Sequence, residues 1–401
     1  MIDIAALRDH FPSLASGIAH FDGPGGTQTP IEVARAITAT MTSPLSNRGR
    51  GSLSEANADD AVRGFRDAYA DLLGVPAAGV VHGRSATQLT YDFARALAKG
   101  WAPGDEVVVT RLDHDANVRP WVQVAATAGV GVRWIDLDPA TAELDPDSVT
   151  AAITPRTRLV AVTAASNLLG TRPPVPQIAA AAHAVGALVY VDGVHYTAHR
   201  FVDVPALGAD FFVCSPYKFL GPHCAVLAAD PALLETLQPD KLLPSTDVVP
   251  ERFELGTLPY EVLAGATAAV DFLAGIAPGA ASTRRERLRS SLAAIDDHEL
   301  RLRQRLEDGL AALGPPVVLH SKAAERTPTL LVTFPGRRSW DAYEYLLTCS
   351  VLAPAGSFYA HEPFTRLGLA DEHGLRIGLA PYTDDAEVDR LLAGLQEFLE
   401  R

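Results

Sequence analysis

Lys218 stands where an amine can be made nucleophilic. It follows an apolar run directly, in FFVCSPYKFLGPHCAVLAAD (211–230), and Gly221 and Pro222 turn the chain just after it. A lysine at the mouth of a buried strand loses solvent, which lowers its pKa toward that of a reactive amine. The other lysines sit elsewhere: Lys99 closes an amphipathic stretch, Lys241 lies in a Pro-rich loop and Lys322 in a polar turn. Asp192, in LVYVDGVHYTAHR, lies 26 positions before Lys218 and ends another apolar run. A carboxylate there can pair with a protonated ring nitrogen and keep a heteroaromatic ring an effective electron sink. His195 follows three residues on, within reach of the same ring.

HGRSATQLT (82–90) spans a strand-to-helix turn, where Gly83, Ser85, Ala86 and Thr87 offer backbone N–H groups and hydroxyls suited to a dianionic phosphate. His114, in RLDHDANVRPW, can stack on an aromatic ring, and Asn167, in AASNLLGT, can hydrogen-bond a phenolic oxygen. Each residue has a plainer reading: a strand-end lysine, a turn aspartate, a structural histidine, an N-cap serine with Gln88 three positions on. An amine, an anion, a stacking ring and a phosphate cradle at the ends of successive strands point jointly to pyridoxal 5′-phosphate held on Lys218.

The elements that must position these residues alternate. Apolar runs at 80–82, 106–110, 130–136, 158–166, 187–193 and 211–215 are rich in Val, and most end in Gly, Ser, Asp or Asn. Strands buried on both faces of a largely parallel sheet read this way. Amphipathic stretches such as 87–100 and 175–186 lie between them. The expectation is an open α/β sheet with its site beyond the carboxyl ends of the strands. After residue 260 the pattern changes to long helices (260–276 and 284–313), then PVVLH, TLLVTF, VLAPAG and LRIGLAPY, then a closing helix. The predicted organisation is residues 1–30 packing near the site, a large α/β domain over 31–260 and a smaller α+β domain over 261–401.

Composition narrows the class. Acidic residues outnumber basic ones, giving a net charge of −14, which argues against a nucleic-acid partner. No run of 18 apolar residues appears, so no membrane partner is expected. The N-terminal MIDIAALRDHFPSL lacks a basic stretch followed by an apolar one, so no secretion signal is expected. Cys214, Cys224 and Cys349 are odd in number without CxxC spacing, which argues against disulfides and a zinc site and fits the cytoplasm. No G-x-G-x-x-G follows the first strand, which argues against a dinucleotide-dependent dehydrogenase.

The segments resemble the cysteine desulfurase branch of the class V aminotransferases, fold-type I pyridoxal-phosphate enzymes, over nearly the whole chain and in motif order. HFDGPGGTQTP (20–30) looks like the family's N-terminal LD-x-A-A stretch; His114–Asn117, SNLLGT (166–171) and VDGVH (191–195) follow. The lysine motif reads Ser215-Pro-Tyr-Lys218, RFELGT (252–257) is similar to RFE-x-GT, and 375–391 to the C-terminal arginine motif. The resemblance implies a seven-stranded, mostly parallel sheet with Lys218 as Schiff base and proton shuttle, Asp192 on the pyridine nitrogen and His114 on the ring. It places Asn167 and His195 near the ring oxygen, Thr87 and Ser215 on the phosphate, and Arg376 on the substrate carboxylate as a bidentate clamp. It also implies a homodimer in which Thr257 reaches the neighbouring phosphate. Tyr359 and Arg48 complete the substrate-binding candidates.

The sequence departs from the family in the loop that carries the desulfurase nucleophile. Residues 351–369 hold no cysteine, and Tyr359 takes that place. Pro354 stands where a second arginine is often found, and Tyr217 replaces the histidine before the lysine. Without a thiolate there, transfer through an enzyme persulfide has no carrier. The preferred expectation is a C–S lyase acting by β-elimination on a cysteine-derived or S-substituted cysteine substrate, released as pyruvate and ammonia. The alternatives are transamination or decarboxylation on the same cofactor, or a catalytically inactive cofactor-binding partner. The last would be free to lose Lys218 or Asp192, and both are present.

Overall fold

The computed structural model describes residues 2–277, 279, 281–369 and 373–401. The Val-rich runs form a seven-stranded sheet. Its strands are β1 (Val80–Gly83), β2 (Glu106–Thr110), β3 (Gly131–Ile135), β4 (Thr157–Thr163), β5 (Leu188–Asp192), β6 (Phe211–Cys214) and β7 (Ala225–Ala229). Their order across the sheet is β1-β7-β6-β5-β4-β2-β3. Only β7 runs antiparallel to its neighbours, so the other strands all end on one edge. β7 lies downstream of the lysine turn, where no strand was expected. Its continuous AVLAA is fully buried between β1 and β6, where small side chains suit a crowded position.

Helices cover both faces, as βαβ crossovers require. The one opening the site is α1 (Ala86–Ala98), whose N-cap Ser85 accepts from Gln88 N–H at 3.1 Å. The helix Tyr260–Gly275 packs on helices Ile31–Thr42 and Leu53–Leu73. The large core continues through it, burying Leu263, Ala266 and Val270 with Val62 and Phe65.

A four-stranded antiparallel sheet lies in the C-terminal part, in the order β8 (Val318–Leu319), β9 (Thr329–Thr333), β11 (Gly374–Gly378), β10 (Ala355–Gly356). VLAPAG is two short pieces rather than one strand, because Pro354 interrupts it. Its first piece, Val351–Leu352, pairs in parallel with Ala19–His20. Gly378 N–H then bonds Phe21 O at 2.8 Å, so the N-terminal stretch is fastened beside β11 before it reaches the lysine. Among the described residues, no helix is long and apolar enough to cross a membrane.

The turn after β5 has no room for a side chain. A Cβ on Gly193 would come within 1.9 Å of the Phe212 ring, which is fully buried in β6. Gly193→Ala is therefore expected to destabilise the protein by about 1–3 kcal/mol through overpacking. Urea unfolding checks this, and the same displacement should move Asp192 and His195.

Candidate active site

Four strand ends and two loops meet at one cavity. β5 ends in Asp192, β4 leads to Asn167, β2 leads to His114, and β6 runs into the Ser215–Lys218 turn. A deep cavity of about 90 Å³ is lined by Ser85, Ala86, Thr87, His114, Asn167, Asp192, His195, Ser215, Tyr217 and Lys218 among others. It adjoins an outer cavity of about 630 Å³, which shares Thr87, His114, Asn167, Tyr217 and Lys218 and adds Tyr91, Arg119, Phe358, Tyr359 and Arg376.

Lys218 is 8% exposed, and its Nζ donates to Pro24 O of the N-terminal stretch. Burial, then the Arg376 charge, lowers its pKa to about 8, against the opposing pull of Asp192 and Asp22. In the cofactor-free protein the reactive amine therefore appears as pH rises through about 8 rather than 10.5. Reductive methylation of Lys218 by formaldehyde, followed by peptide mass, should be half-maximal near pH 8.

Asp192 is also buried, and Val194 N–H donates to its Oδ1 at 2.9 Å. Burial pushes its pKa up to about 6, partly offset by that hydrogen bond and by Lys218. A carboxylate held at such a cost is satisfied by a cation placed against it. His114 accepts from Ala116 N–H through Nδ1 at 3.0 Å, which leaves its other nitrogen as the protonated one. Burial and the Lys218 charge lower its pKa to about 4, so the ring is neutral.

Asn167 donates from Nδ2 to Phe358 O at 3.0 Å, while its Oδ1 is buried without a partner. His195 Nε2 lies between the hydroxyls of Thr327 at 2.9 Å and Thr329 at 3.1 Å. These threonines were not among the sequence candidates, since only the fold brings β9 and the segment before it to His195. Burial, then His199, holds the His195 pKa well below the usual value.

Arg376 on β11 is 3% exposed. Its Nη2 donates to Asp22 Oδ1 at 2.6 Å and its Nη1 to Asn167 O at 3.3 Å. The Phe358 ring covers the guanidinium, with Cζ 3.9 Å from the ring centroid. Phe358 and Tyr359 are both left-handed, at φ 55° and 56°. Asp115 N–H donates to Tyr359 O at 2.8 Å, and this bond and Asn167 hold the turn. The Tyr359 ring lies 5.6 Å from His114.

Two candidates lie outside these cavities. Arg48 pairs with Asp59 at 2.9 Å and Glu251 at 2.6 Å. Thr257 lines a separate cavity of about 710 Å³ with His82, Arg84 and His223. Cys214 and Cys224 are buried in the core, where burial raises both thiol pKa values, and Cys349 lines neither cavity.

Pyridoxal 5′-phosphate fits these residues. The deep cavity offers a desolvated amine, a buried carboxylate for a ring cation and a neutral imidazole. The unpartnered Asn167 Oδ1 can face a ring hydroxyl. The N–H groups of Ala86 and Thr87, which no helical carbonyl can satisfy, can face a phosphate.

The family model for class-V aminotransferases matches residues 19–391. An uncharacterized protein of Mycobacterium tuberculosis is 32% identical over 98% of both chains. The aminotransferase-like protein FGM3 of Gibberella zeae is 30% identical over 99% of this chain and 98% of its own. The crystal structure of the cysteine desulfurase CsdA from Escherichia coli superposes with a TM-score of 0.88 at 26% identity, covering 100% of this chain and 99% of the other. The chain thus belongs to the class-V aminotransferases, in their cysteine desulfurase-like branch, and is a pyridoxal-phosphate-dependent enzyme of fold-type I.

Proposed function

We propose that this enzyme is a C–S lyase that cleaves cysteine-derived or S-substituted cysteine substrates by β-elimination, without an enzyme persulfide. The observation that carries the reading is the 357–360 turn. It presents Phe358 and Tyr359 to the outer cavity, and none of the chain's three cysteines lines that cavity. When bound, the cofactor supplies an electrophilic carbon for amines and an electron sink that acidifies the substrate Cα.

Asp192 would hold a positive charge on the ring nitrogen, His114 would cover the ring, and Asn167 and His195 would serve the ring oxygen. Ser85, Ala86, Thr87 and Ser215 would hold the phosphate through hydroxyls and N–H groups. Lys218 Nζ would take the Cα proton and pass it to the departing thiolate, so that the C–S bond breaks with release of a thiol and an aminoacrylate. Arg376 binds the substrate carboxylate, and Phe358 and Tyr359 wall the space for a bulky sulfur substituent. The enzyme acts as a homodimer in which Thr257 reaches the neighbouring phosphate. The exposed Leu242, Leu243, Val248 and Leu255 flanking that segment support burial against a second copy. Three unpaired thiols suit a cytoplasmic location.

Transamination is the second reading, favoured by the likeness to the aminotransferase-like protein FGM3. L-Cysteine, S-alkyl cysteines and common amino acids, assayed together for sulfide or thiol, pyruvate and amino transfer, separate the two. Pyruvate formed without an added α-keto acid is expected. Amino transfer that depends on an α-keto acid, with no pyruvate from any cysteine thioether, would overturn the lyase reading.

A further inference from the structure

The substrate arginine is already paired. Arg376 Nη2 donates to Asp22 Oδ1 at 2.6 Å, and its Nε is buried with no acceptor. Asp22 is not a mobile surface partner. Its backbone bridges to Gly378, two residues from Arg376, and its carbonyl accepts from Gly25 N–H at 2.9 Å and Gly26 N–H at 3.1 Å. Its carboxylate folds over Gly25 so closely that a Cβ there would lie 2.2 Å from Oδ2. The side chain is still 32% exposed. Two residues on, Pro24 O accepts from Lys218 Nζ, so the same stretch places a carbonyl on the amine side of the site and an anion beside the arginine.

We infer that Asp22 makes the substrate site selective for α-amino acid zwitterions over plain carboxylates and α-keto acids. A lone carboxylate arriving at Arg376 meets the Asp22 anion on the same guanidinium. The pair is partly buried, so that repulsion is poorly screened. An amino acid brings an ammonium of its own, which faces Asp22 and Pro24 O while its carboxylate uses the free guanidinium N–H groups. Asp22 thus acts against the wrong ligand as much as for the right one. The inference deepens the lyase reading and rests on its amino-acid substrate. It disfavours the α-keto acid that transamination would need as its second substrate.

The test uses the cofactor-loaded enzyme after borohydride reduction, which fixes the cofactor on the protein so that no ligand can react. Calorimetric titrations compare S-methylcysteine with 3-(methylthio)propionate, its counterpart lacking the amine, and with pyruvate. The zwitterion is expected to bind about tenfold or more tightly than either. In Asp22→Asn the two plain carboxylates should gain about tenfold and the preference should collapse. Equal affinities in the unmutated enzyme, or a preference that survives Asp22→Asn, overturns the inference. Equal affinities in the unmutated enzyme overturn it even if the variant fails to fold. Because nothing turns over, the outcome is separate from the product assay that tests the lyase reading.

Discussion

Lys218→Ala is expected to lower turnover by about 10³-fold or more, since in the proposed mechanism it removes both the amine that holds the cofactor and the base at Cα. The fold should survive. Lys218 Nζ has one hydrogen-bond acceptor, Pro24 O, and a buried ammonium is a cost rather than a support. Urea unfolding beside single-turnover rates checks both halves. An added primary amine should restore part of the rate to Lys218→Ala, because the cavity left by the side chain adjoins the outer cavity of about 630 Å³. A Lys218→Ala enzyme within tenfold of the parent rate would remove the basis for assigning either role.

Asp192→Asn carries the second large effect. The amide keeps an oxygen for Val194 N–H but removes the negative charge from the deepest part of the cavity. Turnover should fall by about 10²–10³-fold, the scale for losing one preorganised electrostatic group. Stability should move the other way in the cofactor-free protein. The Asp192 pKa is raised to about 6, so between about 4 and about 6 the folded chain keeps a proton that the unfolded chain has lost. This group's contribution to stability therefore falls as pH rises through that window. The asparagine variant should lack this slope, which denaturation at pH 4.5 and pH 7 with both proteins would reveal.

How much of this was legible depended on whether a residue is placed by its own strand or by a distant one. β2 was read with its observed bounds, and most of the parallel strands to within two residues, because strands buried on both faces are continuous apolar runs. Their ends carried Asp192, Asn167, His114 and Lys218 into one cavity, as strand-end residues of a parallel sheet must be. β7 was missed because AVLAA carries no Val or Ile run strong enough to mark it in isolation. Thr327 and Thr329 were invisible for another reason. They meet His195 across more than a hundred residues, and no local pattern encodes that pairing. The same holds for Pro24 at Lys218 and Asp22 at Arg376. Arg48 was named as a substrate-binding candidate, but Asp59, nearly two turns into the next helix, and Glu251 occupy its guanidinium. Phe358 and Tyr359 were both legible as aromatic residues of the loop, whereas the stacking of Phe358 on Arg376 shows only in the left-handed turn that aims it.

Borohydride reduction of the cofactor-loaded protein, followed by digestion and peptide mass mapping, tests the central claim most directly. The chain has only Lys99, Lys218, Lys241 and Lys322 as lysines, so every possible attachment is distinguishable. The expected result is one pyridoxyl mass, on the peptide carrying Lys218, and its loss in Lys218→Ala. A pyridoxyl mass on any of the other three lysines, or none after loading, would contradict the assignment of Lys218 as the residue that holds the cofactor.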